Sequence, residues 1–193
     1  MSAPTSARER LLDAAVRAAA VHGLAKLSVG DVARAAGLSR QTLYKYFPSK
    51  EALIAEAVSR EADAMIAEVV AAADAHDDPR DALEAAIVTT LRLARAHPLL
   101  DRLITTEPEA LLPVLMSRQG PVLATVRAVV AQIVERKLPN LAPEELRHSA
   151  DLLARVLLSY AMNPPEETPE QVAAFMADLV GYGLVQPDLL SSA

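Results

Sequence analysis

The chain has 193 residues, 52% of them apolar, a formal net charge of −6 and no cysteine. That is one or two small domains with enough apolar side chain for a sizeable core, which excludes the disordered and collagen-like classes. Without cysteine there is no disulfide framework, thiolate zinc site or cysteine nucleophile; with no secretion-signal pattern after Met1 and no charge-free run of about 18 residues, a soluble, cytoplasmic protein is expected.

Strand signals are nearly absent, apolar residues recur at three and four, and the 13 prolines fall mostly between those runs, so the fold class expected is all-α. The first helix runs from about Ala7 to Val21, with Leu11, Leu12, Ala15, Ala18 and Ala19 on one stripe and Gly23 as its left-handed stop. Ser28 caps a short second helix, with Asp31 three residues on in the manner of a capping box, and Gly37 ends it. Ser39 caps a third helix through about Tyr46, which Phe47-Pro48 terminates, and Ser49 caps a fourth that continues to about Ala73. After the break at His76-Asp77-Asp78-Pro79, helices are expected at about 79–96, 99–105, 108–118, 121–137, 143–162 and 169–184. Thr168-Pro169-Glu170-Gln171 is a strong start signal for the last of these, combining a capping hydroxyl, a first-turn proline and a Gln that can reach back.

A net negative chain would ordinarily repel nucleic acid. The average hides a division. Residues 1–50 carry eight basic and three acidic groups, a net +5, whereas the remaining 143 residues carry 11 basic and 22 acidic groups, a net −11. Such asymmetry hints at a nucleic-acid-facing segment joined to something else, although chance clustering of solvated charges also produces it.

Val29 to Phe47 is the informative segment. Two short helices meeting at a steep angle need a small residue at their contact, a turn residue tolerant of positive φ, and apolar residues facing a third helix. Ala33 is the small contact, Gly37 stands at the turn, and Val32, Ala36, Leu38, Leu43 and Tyr46 are the expected inward positions. This is the pattern of a helix-turn-helix, whose second helix enters the major groove. Its outward residues are Arg40, Gln41, Thr42, Tyr44 and Lys45. Arg can bind guanine bidentately, Gln can pair with adenine, and Thr offers a hydroxyl and a methyl, while Tyr44 and Lys45 suit phosphate. Ser28, Ser39 and Ser49 each begin a helix, where free amides attract phosphate, and Lys50 adds a fixed charge. Each of these residues taken singly also reads as a solvated helix face or a plain cap.

The run Asp31-Val32-Ala33-Arg34-Ala35-Ala36-Gly37-Leu38-Ser39, followed by Thr42-Leu43-Tyr44-Lys45-Tyr46-Phe47-Pro48-Ser49-Lys50-Glu51-Ala52-Leu53, resembles the DNA-binding domain of TetR-type transcriptional regulators. The resemblance covers roughly residues 7 to 60. It implies a ligand-responsive homodimer, usually a repressor on a palindromic operator, with an N-terminal three-helix DNA-binding domain over 1–50 and a fourth helix as connection. A helical ligand-binding and dimerisation domain over 51–193 would follow. It also implies that Tyr44, Tyr46 and Lys50 contact phosphates while Arg40, Gln41 and Thr42 supply most base readout. Tyr46 departs from the His common in the family, retaining an aromatic ring that can bond phosphate.

For the remainder, the last two expected helices are the dimer candidates, with Leu146, Leu153, Leu157 and Tyr160 on one and Val172, Phe175, Met176, Leu179 and Gly183 on the other. A four-helix bundle would result. The alternative is that these stripes face their own core. A pocket for a small-molecule effector is expected between Met65 and Met162, with Leu91, Arg95, His97, Leu103, Leu115, Met116, Val126 and Tyr160 as candidate lining, His97 reading more simply as a helix-end cap. Catalysis is not expected: Glu107-Pro108-Glu109 is better explained as a helix start. His22, His76, His97 and His148 are scattered without metal spacing, so neither metal nor cofactor is implied. A helical protein-binding adaptor is the other rival, and the basic N-terminal segment with its turn speaks against it.

Overall fold

Short polar side chains open most of the helices. The computed structural model describes residues 6–106 and 121–185, which contain nine α-helices and no strand; the helix expected at 108–118, with Leu115 and Met116, lies outside the described residues. In α1 (Ala7–His22) the Ser6 hydroxyl accepts the Glu9 amide at 3.1 Å, and Gly23, with φ 82°, closes the end. Ser28 accepts the Asp31 amide at 3.4 Å at the head of α2 (Val29–Ala35). Ser39 does the same for Thr42 at 3.0 Å in α3 (Arg40–Tyr46), and Ser49 for Ala52 at 3.1 Å in α4 (Lys50–Asp74). These amides have no partner inside their own helices, so the hydroxyls satisfy donors that would otherwise be orphaned.

Between α2 and α3 the chain reverses through Ala36-Gly37-Leu38. Gly37 has φ 68°, its amide donates to the Arg34 carbonyl at 3.0 Å, and the Leu38 amide donates to the Ala33 carbonyl at 2.8 Å. This is the Schellman arrangement, which needs a residue at ease in the left-handed region.

The chain divides into two compact units, one within residues 1–64 and 97–108, the other within 65–96 and 109–193. The boundary between the units falls within α4, which begins in one unit and ends in the other. In addition α6 (Pro98–Thr106) returns to the first unit, where it packs on α1. His97, expected to cap a helix end, instead caps the start of α6, its Nδ1 accepting the Leu100 amide at 3.4 Å.

In the first unit Leu11, Leu12, Val32, Leu43, Phe47 and Leu53 are fully buried. Tyr46 is a correction: the expected inward residue is 44% exposed, and Phe47 fills the interior instead. Its backbone leaves the helix for an extended conformation, φ −131° and ψ 114°, ahead of Pro48, and the side chain turns inward.

The second unit comprises the end of α4 with α5 (Pro79–Ala96), α7 (Pro121–Lys137), α8 (Pro143–Met162) and α9 (Pro169–Val185). Ile87 and Leu91 of α5, Val130 and Val134 of α7, Leu153 and Leu157 of α8, and Val172 and Met176 of α9 form one aliphatic core. A smaller cluster joins Ala73 of α4 to Ala82, Ala86 and Ile133. At the head of α9 the expected reciprocal cap is present: Thr168 Oγ1 accepts the Gln171 amide at 3.3 Å and Gln171 Oε1 accepts the Thr168 amide at 3.0 Å. Arg80 reaches Asp178 at 2.6 Å and Arg92 reaches Glu170 at 2.7 Å, tying α5 to α9.

A methyl group built on Gly37 would meet nothing within 4 Å, so substitution tests the backbone alone. Gly37→Ala should lower the unfolding free energy by about 1–2 kcal/mol, read as an earlier urea midpoint with unchanged helical circular dichroism.

Candidate nucleic-acid interface

With seven residues and Leu43 fully buried beneath it, α3 has one inner side and must turn the rest outward. Arg40, Gln41, Tyr44, Lys45 and Tyr46 are all exposed, the two tyrosines by 49% and 44%. The expected outward set is thus brought onto one helix surface, with Thr42 as a partial exception. Its side chain is half-buried and its Oγ1 lies 2.9 Å from Ser39 Oγ, so the hydroxyl belongs to the cap. The other two capping serines stand close by in sequence to Asp31 and Lys50. Asp31 is held by Arg34 at 3.1 Å.

Not every basic residue of the segment is available. Arg8 pairs with Glu56, and its guanidinium carbon sits 5.6 Å from the centre of the Phe47 ring, so its charge serves the packing of α1 on the end of α3. Lys50 is half-buried and its Nζ donates to the Ala25 carbonyl at 3.0 Å, tying the loop after α1 to the head of α4. At the same place Glu51 is held below the usual carboxylate range by a hydrogen bond from its own backbone amide, then by Ser49 and the charge of Lys50. Further along α4, Arg60 bridges Glu9 at 3.3 Å, Asp13 at 2.8 Å and Glu61 at 3.0 Å. Burial opposes its charge, but the hydrogen bonds to Glu61 and Asp13 outweigh that and raise its pKa. Glu61 also approaches His97 Nε2 at 3.4 Å.

The expected effector and dimer residues are partly dispersed. Leu91, Val126 and Tyr160 meet at the aliphatic core of the second unit, Leu91 within it and the other two half-buried against it. Met65 and Met162 are half-buried. Arg95 is exposed and donates to the Glu167 carbonyl at 3.3 Å. His97 and Leu103 belong to the first unit. Of the expected dimer residues, Leu153, Leu157, Val172 and Met176 are buried in their own unit and Leu146 is half-buried there, which leaves them little surface for a partner. Phe175 and Leu179 are different, at 66% and 61% exposed, and Leu152, which the sequence reading did not single out, is exposed as well. Gly183 lies on the last turns of α9.

Among the described residues no group of three His, Asp or Glu is placed to hold a metal ion, and no helix is long and apolar enough to cross a membrane.

A family model described as bacterial regulatory proteins, tetR family, matches residues 11–57, and one described as bacterial tetracyclin repressor, C-terminal domain, matches residues 78–181. The chain belongs to the TetR family. An uncharacterised HTH-type transcriptional regulator of Mycobacterium tuberculosis is 31% identical over 180 residues, covering 90% of this chain and 85% of the relative. The regulator AlkX of the same species is 28% identical over 176 residues, covering 90% and 82%. The crystal structure of the TetR family repressor AlkX from a Dietzia strain, implicated in biodegradation of n-alkanes, superposes with a TM-score of 0.70 at 25% identity, covering 96% of this chain and all of that one. Like these relatives, the TetR-family chain described here is a DNA-binding transcriptional regulator.

Because Lys50 ties a loop as well as adding charge, its removal should show in the DNA-free protein. Lys50→Ala should cost about 0.5–1.5 kcal/mol of stability through the lost bond to Ala25, whereas Lys45→Ala should leave the denaturation midpoint unchanged.

Proposed function

We propose that this TetR-family regulator binds a palindromic operator as a homodimer, acts as a repressor, and is released by a small-molecule effector bound within its second unit. Arg40, Gln41 and the Thr42 methyl read base edges. Tyr44, Lys45 and Tyr46, with the helix starts at Ser28, Ser39 and Ser49, hold phosphates, while Lys50, engaged with the Ala25 carbonyl, adds its charge at the head of α4. The observation that carries this reading is the outer face of α3, where Arg40, Gln41, Tyr44, Lys45 and Tyr46 are exposed together while Leu43 alone is fully buried beneath them. A two-fold dimer then sets two copies of α3 about 34–36 Å apart, matching one helical turn of DNA.

The dimer contact draws on Phe175, Leu179 and Leu152, large apolar side chains left in water by the folding of one chain. The effector is apolar: the second unit is aliphatic around Leu91, Val126 and Tyr160, and the similar Dietzia repressor is implicated in biodegradation of n-alkanes. Effector binding moves α4, a single helix of 25 residues that begins in one unit and ends in the other. Linkage requires the effector to favour the form that does not hold the operator, and the operator to weaken effector binding by the same factor.

Binding to selected and random duplexes separates the roles. Arg40→Ala should lose about 1–3 kcal/mol at one base position, whereas Lys45→Ala should weaken binding to every sequence alike and reduce the salt slope by about one. Equal losses from both variants on all duplexes would overturn the division of labour. For the assembly, a Phe175→Glu, Leu179→Glu double variant should sediment as a folded monomer at concentrations where the parent is a dimer.

A further inference from the structure

Gly30 is the second residue of α2, and among the described glycines it is not one with positive φ, so the backbone gives no reason for glycine there. Within a helix, glycine is unfavourable relative to alanine because it loses more conformational freedom on folding. The space around it supplies a different reason. A Cβ added at Gly30 would lie 3.3 Å from Arg40 Nε, 3.5 Å from Arg40 Cζ and 3.7 Å from Arg40 Cδ. The Arg40 side chain, from the first residue of α3, therefore lies against the place where a Cβ at position 30 would stand, close enough that its Nε would have to give slightly. The neighbouring carboxylate of Asp31 pairs with Arg34 at 3.1 Å.

We infer that Gly30 is a specificity-determining position of this regulator: its missing side chain provides the shelf that orders Arg40 before DNA is met. The inference rests on the reading of Arg40 as a base contact. An arginine carries large rotamer freedom, and its planar fork discriminates between bases only in a narrow range of orientations. Holding the fork against α2 in the free protein lowers the entropy lost on reaching a base edge, a gain that a loose arginine forgoes. Alanine at position 30 forces Arg40 to shift by a few tenths of an ångström, and valine takes the shelf away.

The test compares Gly30→Ala, Gly30→Val, Arg40→Ala and the Gly30→Ala, Arg40→Ala double variant in the full chain, by selection from a random duplex pool followed by competition binding. Gly30→Ala should melt no earlier than the parent. Its discrimination at the base pair that Arg40→Ala relaxes should fall about three- to tenfold, the value of one ordered side chain, and Gly30→Val should lose more. The double variant should be no worse than Arg40→Ala alone. The Nε–H resonance of Arg40 in the DNA-free protein should move in both Gly30 variants. Parental discrimination by Gly30→Ala and Gly30→Val, or losses that add in full in the double variant, would overturn the role of Gly30 while leaving Arg40 as a reader. If Arg40→Ala relaxes no base position, the base-reading role falls and the role of Gly30 with it, a result distinct from the first.

Discussion

Burial of Leu43 and Phe47 is the constraint on which the reading surface depends. Seven residues make a helix too short to persist in water unaided, so α3 exists because tertiary packing holds it. Leu43 anchors its middle and Phe47, just beyond its end, anchors the exit; both are fully buried. With those two inside, a helix of 3.6 residues per turn has no choice but to turn Arg40, Gln41, Tyr44 and Lys45 outward. The Schellman turn at Gly37 fixes the angle at which α3 leaves α2, and the Ser39 hydroxyl fixes its first turn. Apolar burial, turn geometry and capping thus cooperate to present a polar face without any of the polar residues holding the helix in place.

The charges around that frame set register more than they add stability. Arg60 joins α4 to α1 through Glu9 and Asp13, and Glu61 carries the contact to His97 at the start of α6. Most of these groups are partly exposed, where an ion pair contributes little net free energy. Their value lies in geometry, because α1, α4 and α6 meet with one set of partners. The same logic applies in the second unit, where Arg80 bridges to both Asp178 and Glu84 and is held well above its ordinary pKa by those two hydrogen bonds.

Much of this was legible along the chain. The caps at Ser28, Ser39, Ser49 and Thr168, the turn at Gly37 and the helix ends at prolines are local matters, decided by hydrogen bonds within three or four residues, and they stand as the sequence implies. The outward face of α3 followed once Leu43 was identified as inward. Tyr46 was misplaced because amphipathic periodicity counts on as if the helix continued, whereas Phe47 leaves it for extended backbone and takes the interior position. In the sequence Arg8 is only one of the eight basic groups of residues 1–50, and its neighbours Glu56 and Phe47, distant in sequence, show it engaged.

The sequence by itself determined the all-helical fold, the helix-turn-helix and the outward placement of Arg40, Gln41, Tyr44 and Lys45, because each rests on short-range spacing. It could not say which stripe of α8 and α9 faces inward: both helices carry apolar residues on more than one side, and burial of Leu153, Leu157, Val172 and Met176 left Leu152, Phe175 and Leu179 in water. Nor could it place α6 with the first unit, or show that the missing side chain of Gly30 makes room for Arg40. Those outcomes depend on which surfaces meet when separate helices pack, and a one-dimensional pattern records the surfaces but not their partners.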